Sequence, residues 1–342
     1  MFVKTHILPA WHRLDQKYIP VFRFALGVTL IMAFTTAFGG QLAYIIPVLS
    51  ISFLAPPKKL SIKQGVIFVV IVAFSTIAGY LFTGFFYDFT WVFIPLVAII
   101  LLWIYYTTAL PVPLKLFLLI SLLATPVPKP GMDTTVWARA IAITLTTGAI
   151  FSVLVIWIVY ALFPDHEVPA KAAAKPKSIV KSSDERFRQA FETFLITFPV
   201  FMVFVVFQGG NGLLVLIYIV ILSMMSGISH AAGKVKIYGN LLGGVVILLF
   251  YQLIATVPFL LFFLLLYLGT ALFFASHIFS GDRTSSVYKT AFSSLTLIIG
   301  QVSLGTATAG GEIWSRIIQV MIAVFYVIGM QELMNALKSG KQ

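Results

Sequence analysis

Long runs of apolar residues alternate with short polar or Gly/Pro-containing breaks along the whole chain. A helix needs about 20 apolar residues to cross a bilayer, and the runs between breaks predict twelve such segments. Six lie at 18–38, 41–56, 65–87, 91–109, 114–126 and 137–163, and six at 190–208, 211–226, 237–255, 257–275, 289–304 and 313–334. Hydrocarbon leaves the backbone no partner outside a helix or a closed barrel, and these runs lack a barrel's alternation. The pattern therefore predicts an all-α polytopic membrane protein with about 12 transmembrane helices.

The fifth segment, 114–126, is short and is closely flanked by prolines on both sides. Proline cannot continue a helix interior, so the segment cannot be extended in either direction. Two interpretations stay open for it, a full span or a half-span of the re-entrant kind.

The basic residues indicate how the chain is oriented. If the N-terminus is cytosolic, every lysine and arginine except Lys129, Arg139 and Arg316 falls on the cytosolic side. Such an asymmetry sets orientation during membrane insertion, so both termini are predicted to be cytoplasmic. Ser182 and Glu185 form a capping-box pattern that could start the seventh helix. The predicted organisation is a cytoplasmic N-terminal segment, a first six-helix unit, a cytoplasmic linker, a second six-helix unit and a cytoplasmic tail, at 1–17, 18–163, 164–189, 190–334 and 335–342.

The two six-helix units contain matching residues in the same order. The pairs are Gly39-Gly40 with Gly209-Gly210, Gly79 with Gly243, Lys115 with Lys289, and Trp137-Ala138-Arg139 with Trp314-Ser315-Arg316. Because each unit has an even number of spans, both copies share one orientation. The sequence therefore predicts two parallel six-helix repeats about an axis along the membrane normal, which favours a pathway between the halves.

Composition narrows the class of function. The chain is 60% hydrophobic and 10% charged, which excludes a soluble globular protein. The net charge of +12 is explained by cytoplasmic loops rather than by nucleic-acid binding. No carboxylate is predicted at mid-span, no histidine pair has metal-ligand spacing, and cysteine is absent, so we expect no catalytic residue, no metal, no cofactor and no enzyme.

Several of these residues together form a family-like pattern. They are a basic residue opening the first helix, a glycine turn into a Pro-containing second helix, a lysine loop, a Gly-containing third helix in each half and an arginine early in each sixth helix: Arg23, Gly39, Gly40, Pro47, Lys58, Lys59, Lys63, Gly79, Gly243, Arg139 and Arg316. The pattern resembles the fusaric-acid-resistance-like superfamily of aromatic acid exporters, in a short form without the large cytoplasmic domain of its longer members. The resemblance implies efflux of small aromatic or other organic acids, often with a periplasmic membrane-fusion adaptor.

Arg23 and Glu192 are the first candidate substrate-binding residues. Arg23 lies about 7 Å inside the first predicted helix, where an ionisable group is costly and hence a functional candidate. It either attracts an anion at the inner mouth or snorkels to the interface. Glu192 falls beside the aligned position in the second half. The two are predicted as a pair across the repeat interface, either structural or part of a gate.

The remaining candidates are Arg139, Arg316, Gln41, Asn211 and Pro47. The two arginines either line an outer vestibule or anchor the protein beside Trp137 and Trp314 in the aromatic belt. The two amides follow glycine pairs at the tightest turns, where helix ends can expose donors to an anion or the glycines merely allow a hairpin. Pro47 is predicted six residues into its span, where it could free a backbone carbonyl.

The expected function is efflux of small organic anions, above all aromatic carboxylic acids, across the cell inner membrane. The expected partners are the organic anion, the lipid bilayer, a periplasmic membrane-fusion adaptor and further copies of the chain, with no nucleic acid. Two alternatives stay open, a passive anion channel and a non-transport membrane assembly protein. A deep carboxylate or histidine would indicate proton coupling and so favour the exporter.

Overall fold

The computed structural model describes residues 18–40, 42–56, 60–110, 112–128, 131–164, 182–207, 213–224, 230–257, 259–282, 284–303 and, except for positions 320, 324, 328 and 335, residues 318–336. Every regular element in this part is an α-helix. The helices are α1 Ile19–Phe38, α2 Ile45–Leu54, α3 Ile62–Phe86, α4 Thr90–Tyr106, α5 Val112–Ala124, α6 Thr134–Leu162, α7 Ser183–Val206, α8 Leu213–Met224, α9 His230–Thr256, α10 Leu260–Ile278 and α11 Ser285–Ser303. An apolar helix, Met321–Met334, follows near the C-terminus.

Five of the described helices, α1, α3, α6, α7 and α10, are long and apolar enough to cross a bilayer. The predicted all-α class is confirmed, and the helices have the length and composition of a multi-pass membrane protein. α2, α4, α5 and α8 are shorter, with 10 to 17 residues each. The 13 residues of α5 measure about 20 Å against a hydrocarbon layer of about 30 Å, which favours the half-span interpretation of this segment.

The starts of α2 and α7 differ from the prediction for reasons that are local to each helix. α2 begins at Ile45 rather than at 41, because the turn before it holds Leu42 at a φ of 62°. That left-handed conformation cannot continue a right-handed helix. α7 begins at Ser183 rather than at 190, and the predicted capping box of Ser182 and Glu185 is confirmed. The polar first turns of α7 hide its start from a hydropathy pattern.

Within each half, one long helix packs closely on a shorter one through a glycine. α3 packs on α5 and α6, and α9 packs on α11. A Cβ atom on Gly79 would lie 2.7 Å from Ser121 Cβ, and one on Gly243 would lie 2.6 Å from the carbonyl oxygen of Ala291. Only a residue without a side chain allows these approaches. Gly244 has nothing within 4 Å of that position, so it takes no part in the packing.

Four extensive helix contacts and a smaller one between α1 and α11 join the first half of the chain to the second. α1 packs on α10, α4 on α7, α2 on α11 and α5 on α8. We refer to the contacts α1–α10 and α4–α7 as the two seams. The candidate residues Arg23 and Glu192 lie on α1 and α7, one helix of each seam.

Candidate functional site

Arg23 is buried where α1 packs on α6. Its exposed fraction is 0%, and it is the only charged side chain among the buried residues of the described part of the chain. Its guanidinium carbon lies 3.9 Å from the centre of the Tyr160 ring, a cation–π contact. The Tyr160 hydroxyl donates to the Pro56 carbonyl oxygen at 3.4 Å. The neighbouring residue, Phe24, packs edge-on against Phe279 across the α1–α10 seam. Arg23 is thus held inside the protein beside a seam, rather than extended to its surface.

Glu192 lies on α7 and contacts a basic residue of its own helix. Its Oε1 atom is 3.8 Å from Nε of Arg188, one turn earlier. Pairs at this spacing are neighbours on a helix surface and contribute little when exposed. The structure therefore places Arg23 against Tyr160 and Glu192 beside Arg188.

Trp137 and Arg139 lie on different faces of α6. Trp137 is 1% exposed, and its Nε1 donates to the carbonyl oxygen of Ala124 at 2.9 Å. Arg139 is exposed. The expected place of Trp137 in the aromatic belt is wrong, because the last carbonyls of α5 need donors and the indole N–H supplies one. Two residues along a helix turn the side chain by about 200°, which accounts for the exposure of Arg139.

Pro47 lies in the first turn of α2, not in the helix interior. Ile45 and Ile46 donate to the carbonyls of Leu42 and Ala43 in short-range turn bonds. Whatever residue stood at position 47, its backbone N–H would have no acceptor within the helix. The proline therefore frees no carbonyl there. The expectation of an opened backbone at Pro47 is wrong for this reason. The other three candidates, Gln41, Asn211 and Arg316, lie outside the described residues.

A small cavity lies beside α2 in the first half. Its volume is about 10 Å³, and its polar lining consists of Ser50 and Ser152, which share a hydrogen bond of 3.1 Å. Such a volume holds at most one water molecule. It has no room for an organic anion.

Three hydroxyl groups meet at the α4–α7 seam. The Tyr105 hydroxyl lies 3.0 Å from Thr197 Oγ1, and Thr197 Oγ1 lies 3.4 Å from Ser223 Oγ. Thr197 and Ser223 are buried, at 0% and 2% exposed. α4 supplies one group, α7 the second and α8 the third. We call these three side chains the seam hydroxyls.

Five phenylalanines stack along one face of α7. Consecutive ring centres are 6.2, 6.2, 4.8 and 6.4 Å apart, and the first three pairs are near parallel. We call them the phenylalanine ladder: Phe187, Phe191, Phe194, Phe198 and Phe201. Thr197 of the seam hydroxyls lies three residues after Phe194 and four before Phe201, so it shares their side of the helix.

The start of the ladder carries a cation and a further ring. Tyr106 of α4 packs edge-on against Phe187 at 6.3 Å, and the Arg186 guanidinium lies 5.8 Å from the Tyr106 ring centre. Nε of Arg186 is buried and has no hydrogen-bond partner among the residues that the structure describes. The ladder thus begins at a guanidinium and ends beside buried hydroxyls.

The sequence analysis identified Arg23 but missed the ladder and the seam hydroxyls. The ladder has a visible signal, since phenylalanine recurs at spacings of four, three, four and three residues, the period of one helix face. The hydroxyls have none, because Tyr105, Thr197 and Ser223 are far apart in the chain.

No protein-family model matches this chain, and neither a curated protein nor a solved structure matches it. Within the described residues, no group of three or more His, Cys, Asp or Glu side chains could hold a metal ion.

Proposed function

We propose that this protein is an inner-membrane efflux transporter for small organic anions, above all aromatic carboxylates, as its resemblance to the fusaric-acid-resistance-like exporters implies. The observation that carries the proposal is the burial of Arg23 on Tyr160. A guanidinium inside a helical membrane protein is costly, and such groups commonly serve ion or substrate pathways. Arginine can stack on an aromatic face and still offer its N–H groups to a carboxylate, so one geometry serves both contacts.

The proposal includes two parallel six-helix repeats and twelve spans. The helix packing supports this. If each helix of the first half is replaced by its counterpart in the second half, and the reverse, the contact α1–α10 becomes α7–α4 and the contact α2–α11 becomes α8–α5. All four contacts occur. The same exchange relates α3–α5 to α9–α11, together with the glycines Gly79 and Gly243 that allow those contacts. A pathway between two such halves runs along the seams, where Arg23 and the seam hydroxyls lie.

A resistance assay tests the function. Cells that express the protein are challenged with a panel of aromatic and aliphatic acids, beside cells that express Arg23→Gln at equal level. We expect resistance to aromatic acids with the wild-type chain and less with the variant. Co-expression of a periplasmic membrane-fusion adaptor should raise the resistance further if the exporter works with one.

Transport in inside-out vesicles separates the exporter from the alternatives. An exporter accumulates a labelled aromatic acid above its external concentration when the membrane is energised. A passive anion channel only brings the acid to equilibrium with the membrane potential, so the accumulation is measured with that potential collapsed and a pH gradient retained. A membrane assembly protein moves none, and either of these two results contradicts the proposal.

A further inference from the structure

We propose that the phenylalanine ladder and the seam hydroxyls form the path of the exported acid, with the rings contacting its aromatic part and the hydroxyls its carboxylate. This inference rests on the proposed function and names the part of the protein that selects aromatic over aliphatic substrates. The occupant we commit to is a small aromatic monocarboxylate.

The first argument is the way the ladder leaves the surface. Phe187 and Phe191 are 51% and 42% exposed, Phe194 and Phe198 are half-buried, and Phe201 is 0% exposed. Over 14 residues, about 21 Å of helix, the rings thus pass from the surface into the interior.

A stripe that only faces lipid behaves differently. On α3 the apolar side chains on one side stay 46% to 73% exposed from the first turn to the last: Ile62, Val66, Val70, Phe74, Ile77, Leu81 and Phe85. The ladder shares their apolar chemistry but not their uniform exposure. Its first ring, Phe187, contacts Tyr106 of α4, and its last ring, Phe201, is fully buried.

The second argument is the chemistry at the two ends. At the exposed end of the ladder, the Arg186 guanidinium lies over Tyr106. Its Nε atom is buried and has no hydrogen-bond acceptor among the described residues. This arrangement suits a carboxylate next to an aromatic ring. At the buried end, Thr197 and Ser223 each donate to a carbonyl of their own helix at 3.0 Å, and the Tyr105 hydroxyl completes the cluster. Hydroxyl groups can rotate to donate to a passing carboxylate instead.

The third argument is ring geometry. Near-parallel rings at 4.8 to 6.2 Å offer offset-stacking and edge contacts to a planar guest. Each step exchanges one ring contact for an equivalent one, so an aromatic guest moves along the ladder without a deep energy well. A saturated ring gains only the apolar part of these contacts.

The test compares benzoate with cyclohexanecarboxylate, which have the same charge and nearly the same size, in inside-out vesicles. We expect Phe194→Leu and Phe198→Leu each to raise the half-saturating benzoate concentration about fivefold, as expected for the loss of one aromatic pair. The value for cyclohexanecarboxylate should stay within about twofold. Phe198→Tyr, which keeps a ring, should keep the preference for benzoate. Phe74→Leu on the exposed stripe of α3 is the matched control and should change neither substrate.

The outcomes separate the inference from the function it rests on. Equal effects of the leucine variants on the two acids, or no effect on either, with normal wild-type transport would overturn the ladder and leave the exporter standing. Loss of transport of both acids in Phe198→Tyr as well as Phe198→Leu would assign the position to packing and also overturn the ladder. A wild-type protein that is inserted but moves neither acid refutes both proposals.

Discussion

Trp137 is the residue through which α6 holds the end of α5. Its ring is buried, and its N–H satisfies the carbonyl of Ala124, the last residue of α5. The same carbonyl accepts from the Val127 N–H at 3.3 Å, so the indole supplies the shorter of two hydrogen bonds, and one such bond contributes about 0.5–1.5 kcal/mol. Trp91 at the start of α4 is 94% exposed, so its replacement disturbs no buried group.

Replacing Trp137 with phenylalanine should therefore destabilise the protein by about 1–3 kcal/mol, because the ring volume shrinks and the Ala124 carbonyl keeps only the longer hydrogen bond from the Val127 N–H. Thermal unfolding of the purified protein in detergent measures the change. Trp91→Phe is the control and should leave the midpoint unchanged. Equal midpoints for the two variants would show that the hydrogen bond to Ala124 does not hold α5.

Replacing Arg23 with glutamine should raise the half-saturating concentration of an exported acid, because a charge-assisted hydrogen bond contributes about 1–3 kcal/mol. That range corresponds to about 5- to 150-fold in affinity. Arg23→Lys should recover part of the loss, since it restores the charge but not the planar fork. Lys63→Gln, which removes an exposed positive charge at the start of α3, is the matched control. Unchanged concentration dependence in Arg23→Gln would leave Arg23 with a packing role only.

At the scale of single residues, the sequence identified the important residue types more reliably than the directions of their side chains. Arg23 stands out because a charge in an apolar run is rare. The faces of Trp137 and Arg139 could not be predicted, because a single sequence does not say which side of α6 meets α5. Pro47 was placed too deep because the start of α2 depends on the backbone at Leu42, and hydropathy does not register a positive φ.

At the scale of the helices, two glycines set the distance between neighbours. Both Gly79 and Gly243 lie where a methyl group would overlap the adjacent helix, whereas Gly244 faces open space. Gly79→Ala and Gly243→Ala should each destabilise the protein by about 1–3 kcal/mol through overpacking. Gly244→Ala should be neutral or slightly stabilising, because alanine restricts the unfolded chain. Thermal unfolding of the three variants tests this, and an equal loss in all three would refute a role for close packing.

The apolar runs predicted that the helices exist, whereas local chemistry decides where each helix begins and ends. The sequence showed Ser182 and Glu185 as the capping residues of α7, but the polar turns that follow them had the composition of a linker. The half-length of α5 was left open because prolines bound it on both sides without showing how deep it begins. Its packing on Gly79 of α3 decides where it lies.

At the scale of the whole molecule, the proposed site is assembled from parts that are distant in the chain. The seam hydroxyls come from α4, α7 and α8, and Arg23 meets a tyrosine of α6. Periodicity within one helix could indicate the ladder, but no pattern in a single sequence reports which helices meet at a seam. The matched residues of the two halves do predict that the helix contacts occur in exchanged pairs.

The parallel repeat makes a prediction about membrane sidedness. Thr108 and Ser280 are exposed residues that follow α4 and α10, the helices related by the proposed exchange of halves. In a parallel repeat both positions lie on the cytosolic side, whereas an inverted repeat places them on opposite sides. The chain contains no cysteine, so Thr108→Cys and Ser280→Cys each introduce a single thiol. A membrane-impermeant thiol reagent should label both variants in inside-out vesicles and neither in right-side-out ones. Trp91→Cys, at the other end of α4, should label with the opposite preference. Labelling of Thr108→Cys and Ser280→Cys from different sides would mean that the halves are inverted, and the exchange of helix contacts would then need an axis in the membrane plane.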